Sequence, residues 1–393
     1  MRGATLDIFV FRRAGTKAVA GRLLLLDACP AMKEIERSAA ARPEAKVAWV
    51  RPAVAALEGY APGEQPMAGS RVIKLNTNEN PYPPSPAVKP AIEAELDRLQ
   101  LYPPPDAAEL RATAGRIFGV DPEGIVVGNG SDELLVLLLR TFVEPGAGVA
   151  WPVPTYSLYP TLAAVQGAVV REVPFPENFN LPAGLNSVEA ALLIVCNPNA
   201  PSGTAVTTAP LCELARVRRD AVLVIDEAYA DFADENALEL VGAEPNVVVL
   251  RTLSKSYSLA GLRVGFALTT PAMARELHKV RDSYNVDRLA QAGACAALED
   301  QATFRHNRER IRATRSRLRE QLLMRGFEVA PSHANFVLAR KPARSLEGLV
   351  AELRCDGILV RWFASLPDAL RITVGTDDEI DALLAALDRR ASG

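Results

Sequence analysis

From about residue 86 onward, short β-branched apolar runs alternate with longer amphipathic stretches. A brief apolar run bounded by turn residues reads as a buried strand, whereas apolar positions recurring every three to four residues read as one face of a helix. The pattern predicts helices over 86–100, 106–118, 131–143, 156–166 and 208–218, with a short one over 187–190. Strands fall at 124–127, 147–150, 169–173, 191–195, 221–225, 246–251 and 264–269, and a helix over 271–282 follows. Helices between fully apolar strands imply a largely parallel sheet covered on both faces.

Beyond about 290 the pattern changes. A long helix over 302–325 precedes strands at 327–330 and 335–339, a helix over 345–355, strands at 358–362 and 369–374, and a last helix over 377–391. The expected fold class is therefore α/β: a large domain (81–290) with a mostly parallel sheet flanked by helices, plus a smaller α+β domain (291–393). Residues 51–80 read as an arm, extended over 52–66 because prolines punctuate it, with a short strand at 72–75. Residues 1–50 match the rest poorly. Their apolar run, 23–26, is shorter than a signal peptide wants, and the segment reads as a dispensable or disordered extension with Met32 as the start.

Composition narrows the function. With 393 residues, 49% of them hydrophobic, the chain has ample core, and a net charge of -3 leaves no footprint for nucleic acid. Arginines cluster over 305–319, but apolar Ile311, Leu318 and Leu322 are interspersed, so they read as a solvated helix face. No apolar stretch approaches the roughly 18–20 residues needed to span a bilayer. Five cysteines without a C-x-x-C pair argue against a zinc site or a disulfide framework and for a reducing cytoplasm. Only three histidines are present, which speaks against a metal or Ser-His-Asp enzyme.

Five strand ends carry chemistry. Lys255 follows the strand at 246–251 and precedes a turn ending in Gly-Leu-Arg; a lysine fixed and desolvated there has a lowered pKa and can attack a carbonyl. Asp226 ends the strand at 221–225, where ligands of parallel sheets sit. Gly128, Gly130, Ser131 and Asp132 form a glycine turn opening a helix, an anion site that lacks the third glycine of a dinucleotide fingerprint and the Gly-Lys-Ser/Thr of a P-loop. Tyr156 follows the next strand and offers an aromatic face for stacking; 197–204 forms a rigid polar turn. Singly, each has a plainer explanation: a surface lysine, a turn-capping aspartate, an ordinary N-cap serine, a core tyrosine. Together they make one site. Arg361 and Arg371 each follow an apolar strand pattern, and guanidinium forks bind phosphate and carboxylate alike.

These segments resemble the fold-type-I, pyridoxal-phosphate-dependent aminotransferases, class II, and within them most closely the members acting on histidinol phosphate. The specific parts are 76–81, Tyr102-Pro-Pro-Pro, the Gly-Ser-Asp turn, Asp226-Glu-Ala-Tyr, 254–265 and Leu370-Arg-Ile-Thr-Val-Gly-Thr. The resemblance covers 53–387 and implies transamination between histidinol phosphate and 2-oxoglutarate, with pyridoxal 5′-phosphate as cofactor. It implies that Lys255 bonds the cofactor, that Asp226 pairs with its ring nitrogen and that Tyr229 reaches its ring oxygen. Tyr156 would stack on the ring, and Gly130, Ser131, Asp132, Ser254 and Arg263 would hold its phosphate. Tyr102 would reach that phosphate from a partner subunit of a homodimer, and Tyr60 and Asn78 would complete the substrate pocket with Arg361 and Arg371. One position departs from the family: Ala200 stands where an asparagine usually bonds the ring oxygen. Asn199 is expected to substitute, with Asn197 or Tyr229 alone as alternatives. An aromatic amino-acid aminotransferase and a threonine-phosphate decarboxylase are the alternative activities.

Overall fold

A computed structural model of the chain describes residues 49–59, 62–67, 69 and 71–391. Residues 1–48 of the expected N-terminal extension, Met32 among them, and Tyr60 lie outside the described residues. Among the described residues no helix is long and apolar enough to cross a membrane.

Seven strands build the larger sheet: β2 (Ile125–Asn129), β3 (Gly148–Val153), β4 (Val169–Pro174), β5 (Leu192–Cys196), β6 (Val222–Asp226), β7 (Val247–Thr252) and β8 (Val264–Leu268). Their spatial order is β2-β8-β7-β6-β5-β3-β4. Only β8 runs against its neighbours, pairing antiparallel with β2 and β7, while the others pair in parallel. Successive side chains of a strand point to opposite faces, and both faces here are apolar. Leu223, Ile225, Val247 and Val249 pack with Leu211 and Leu298 on one side, and Val224, Val248 and Ile194 with Leu134 and Leu135 on the other. Each such fully buried side chain contributes on the order of 1.5–3 kcal/mol.

The smaller sheet has the order β1-β11-β12-β10-β9, from β1 (Ile73–Leu75), β9 (Glu328–Val329), β10 (Phe336–Arg340), β11 (Ile358–Phe363) and β12 (Leu366–Thr373). Its edge strand β1 comes from the arm and pairs in parallel with β11. The arm therefore leads directly from the smaller sheet toward the ends of the larger one.

Local details differ from the sequence pattern. The expected helix over 86–100 is a six-residue helix, Val88–Glu93, followed by a 3₁₀ turn, Leu96–Arg98. No helix occupies 187–190; a 3₁₀ turn, Ala183–Asn186, precedes it. The arm, expected to be extended, opens with a helical turn, Pro52–Ala55, where proline at the first position suits a helix start. The helix Arg288–Glu299 has no counterpart in the pattern. Its alanine-rich sequence hides the apolar stripe, but Gly293 shows its packing, since a Cβ there would meet Leu262 Cδ1 at 2.8 Å and Ile92 Cδ1 at 3.2 Å. Asp300 ends that helix and caps the next, Gln301–Met324, accepting from Thr303 N at 3.1 Å.

Candidate active site

The carboxyl ends of β2, β5, β6 and β7 and the start of antiparallel β8 share one edge of the larger sheet. At that edge Gly130, with φ of 80°, turns the chain from β2 into the helix Ser131–Phe142. The turn presses on β8 so closely that a Cβ at Gly265 would lie 2.6 Å from Ser131 N. The first-turn amides of that helix have no partners within it and carry the positive end of its dipole. Arg263 adds a full charge: its Nη1 donates to Ser254 Oγ at 3.2 Å and its Nη2 to Asp132 Oδ2 at 3.3 Å. Tyr156 donates its hydroxyl to Asp132 Oδ1 at 3.4 Å. Gly130, Ser131, Asp132, Tyr156, Ser254 and Arg263 thus meet in one cradle suited to an anion.

Asp226 closes β6 and is 3% exposed. Its Oδ2 accepts from the Tyr159 hydroxyl at 2.6 Å and its Oδ1 from Ala228 N at 3.2 Å. Among the described residues no ion pair reaches it. Burial raises its pKa above the usual carboxylate range, against the pull of Tyr159. A buried carboxylate without a cation fits a protonated heteroaromatic nitrogen.

Lys255 is half-buried beyond the end of β7. Its Nζ donates to the Thr77 carbonyl at 3.4 Å and lies 5.8 Å from the centre of the Tyr229 ring. Burial, reinforced by the Arg371 charge, lowers its pKa to about 8. The lysine is held at its backbone too: Asn80 Nδ2 donates to the carbonyls of Lys255 (3.0 Å) and Ser256 (3.1 Å). Ser256 also donates its hydroxyl to Asp231.

Tyr229 is buried, and its oxygen accepts from Asn78 Nδ2 at 3.0 Å. Because Asn78 is the donor, the hydroxyl hydrogen of Tyr229 remains to be given elsewhere. Burial pushes the Tyr229 pKa up to about 12, so it stays a donor. Asn199 is placed differently from the expectation. Its amide donates to Pro154 O at 3.1 Å and Ser202 Oγ at 2.9 Å, which uses both of its hydrogens. Asn197 is tied into its own turn, donating to Val206 O and accepting from Val206 N. Beside them Ala200 presents a buried methyl group.

On the smaller sheet, Arg361 of β11 and Arg371 of β12 are direct cross-strand partners. Both guanidinium groups lie over Phe363, at 5.4 and 5.5 Å from the ring centre, and Arg371 also lies 5.3 Å from that of Phe336. Arg361 donates to Pro62 O at 3.2 Å and Arg371 to Asn76 O at 3.1 Å. Together they line a pocket with Tyr156, Ala200 and Phe363. Asn78, expected in this pocket, is 1% exposed; besides Tyr229 it engages Thr373, whose hydroxyl accepts from its amide N–H at 3.0 Å. Tyr102 stands apart, 76% exposed and stacked on Tyr284 with ring centres 4.4 Å apart.

The family model for aminotransferase class I and II matches residues 70–387. The chain belongs to that family. It is similar to the histidinol-phosphate aminotransferase of Synechocystis sp., 47% identical over 340 residues that span 86% of this chain and 97% of that protein. The corresponding protein of Geobacter sulfurreducens is also 47% identical, over 85% of this chain and 97% of its own length. Among solved structures, the histidinol-phosphate aminotransferase of Sinorhizobium meliloti in complex with pyridoxal-5′-phosphate aligns with a TM-score of 0.81 and 29% identity, covering 89% of this chain and all of that one. The α/β architecture is that of the fold-type-I aminotransferases.

Two contributors in this family member escaped the sequence reading of the strand ends. Tyr159 reads as a core aromatic, although a buried phenol needs a partner and none is apparent nearby in sequence. Asn80 lies in the motif 76–81, yet its role as a clamp on Lys255 depends on an approach between segments 175 positions apart.

Proposed function

We propose that the chain transfers the amino group of histidinol phosphate to 2-oxoglutarate, giving imidazole acetol phosphate and glutamate in histidine biosynthesis, with pyridoxal 5′-phosphate as cofactor. The carrying observation is the cross-strand pair Arg361 and Arg371 at a pocket that shares Tyr156 with the anion cradle. Two guanidinium groups side by side suit a phosphate ester in one half-reaction and the carboxylates of the oxo acid in the other. The relatives named above support the same substrate.

The residues present fit the cofactor. The amides at Ser131 and Asp132, with Ser254 and Arg263, would hold its phosphate; Asp226 would face its ring nitrogen, Tyr156 its ring face, and Lys255 its carbonyl carbon. When bound, the cofactor supplies an electron sink for the bond cleaved at the substrate α-carbon. The chain supplies the rest. Lys255, with a pKa of about 8, gives up and takes back a proton near neutral pH, which suits an acid/base working on that carbon. Asp226, buried and fixed by Tyr159, keeps a proton on the nitrogen it faces. The ring-oxygen bond falls to the Tyr229 hydroxyl, oriented by Asn78, because the amide hydrogens of Asn199 are already used.

The active form is a homodimer in the cytoplasm. In support, Leu96, Leu99, Leu101 and Tyr102 are 47–76% exposed on one segment, and Tyr102 would serve the partner's cradle. Tyr60 would join the substrate pocket from the arm, and the larger and smaller sheets would form the two domains, 81–290 and 291–393. A half-reaction panel with histidinol phosphate, phenylalanine, tyrosine and threonine phosphate, read by the absorbance of bound cofactor, tests the assignment. Histidinol phosphate should react fastest; rapid turnover of phenylalanine with none of histidinol phosphate would overturn it.

A further inference from the structure

We infer that Glu133 and Asn285 are positioning residues for the anion cradle: they lock the backbone of the Asn129–Gly130 turn in the shape that presents the following amides, those of Ser131 and Asp132, to a phosphate. The inference rests on the cofactor proposed above. A single oxygen of Glu133, Oε2, accepts from Asn129 N at 2.5 Å and from Asn285 Nδ2 at 2.7 Å. Asn285 Nδ2 donates also to Val127 O at 3.0 Å, its Oδ1 accepts from Arg281 Nη1 at 2.5 Å, and its carbonyl accepts from Asn129 Nδ2 at 3.3 Å. The end of β2, the first turn of the helix and the segment before Arg288 are thereby tied at one point.

The tie sits where the backbone most needs it. Gly130 has the widest conformational freedom of any residue type and takes a positive φ here. Glu133 is the third residue of the helix, and its side chain reaches back beyond Gly130 to the amide before it, a variant of the capping box. Charge alone argues the other way. Two carboxylates in this first turn, Asp132 and Glu133, repel an incoming dianion, so Glu133 serves the cradle through its geometry and not its charge. Because both bonds fall on one oxygen, a glutamine amide oxygen can replace it without the charge.

The test compares apo-protein binding of pyridoxal 5′-phosphate with that of pyridoxal, which lacks the phosphate, by intrinsic fluorescence titration. In Glu133→Ala and in Asn285→Ser, the Kd for pyridoxal 5′-phosphate should rise about tenfold or more, while that for pyridoxal stays within about twofold. Glu133→Gln should keep the unsubstituted protein's preference for the phosphorylated form. Unchanged binding in both disrupting variants overturns the inference, as does equal weakening of both ligands or loss of the preference in Glu133→Gln. Should Glu133→Ala fail to fold, Asn285→Ser and Glu133→Gln decide alone. An unsubstituted protein that binds neither ligand would instead sink the cofactor assignment.

Discussion

The two regions proposed to bind anions are built on opposite electrostatic plans. At the edge of the larger sheet, charges of both signs interleave: Arg263 meets Asp132 and Ser254, and Asp226 is fixed by Tyr159. On the smaller sheet two like charges, Arg361 and Arg371, face each other across adjacent strands, steadied by aromatic faces and backbone carbonyls. Like charges directly opposite in a sheet are destabilising, on the order of 0.2–1 kcal/mol. An edge of the first kind is organised before any ligand arrives and suits a resident group. A pair of the second kind sets two guanidinium forks side by side, which suits a substrate anion that must come and go.

The widest separation between the regions should come from Lys255→Ala. It should lower kcat by about 10⁴-fold or more and abolish the visible absorbance of bound cofactor, which a spectrum of the purified variant checks. Asp226→Asn should cost about 10²–10³-fold in kcat with substrate KM little changed. The arginines should behave in the converse way. Arg371→Gln should reduce kcat/KM for histidinol phosphate by about 10²-fold, chiefly through KM, with the cofactor absorbance intact, and Arg361→Gln by about tenfold. Equal loss of cofactor in Arg371→Gln and Asp226→Asn would mean that the two regions do not divide cofactor and substrate between them.

Smaller effects sharpen it. The Lys255 amine cannot attack a carbonyl while protonated, so stopped-flow loading of apo-protein should slow as pH falls through about 8 and level off above it. Tyr159→Phe leaves Asp226 with the Ala228 amide alone, and kcat should fall only about fivefold. A pH midpoint near the ordinary lysine value of 10.5 would show that Lys255 is solvated rather than buried.

What the chain reveals locally and what it hides differ by range. Ser131, Asp132, Asp226, Ser254, Lys255 and Arg263 sit at strand ends and glycine turns whose signals lie within a few neighbouring residues, and the structure brings them to one edge. Arg361 and Arg371 are legible as strand residues, but their register as direct partners is not, because it depends on where the hairpin between β11 and β12 turns. Tyr159 and the helix Arg288–Glu299 were hidden for a related reason: an aromatic in an apolar stretch and an alanine-rich helix look like filling until their neighbours are known.

Segment 76–80 depends most on partners distant along the chain. Asn76 O receives Arg371, Thr77 O receives the Lys255 amine, Asn78 holds Tyr229 and Thr373, and Asn80 clamps the Lys255 backbone. By itself the sequence determined the α/β alternation, which residue types stand at each strand end and the family, since periodicity, turn residues and short motifs are local properties. Only the tertiary structure decided that four residues of one short arm segment, Asn76, Thr77, Asn78 and Asn80, join Arg371 to the lysine, and that Asn199 has no hydrogen to spare for a ring oxygen. Hydrogen-bond partners so distant along the chain are chosen by how two sheets pack, and no local pattern carries that information.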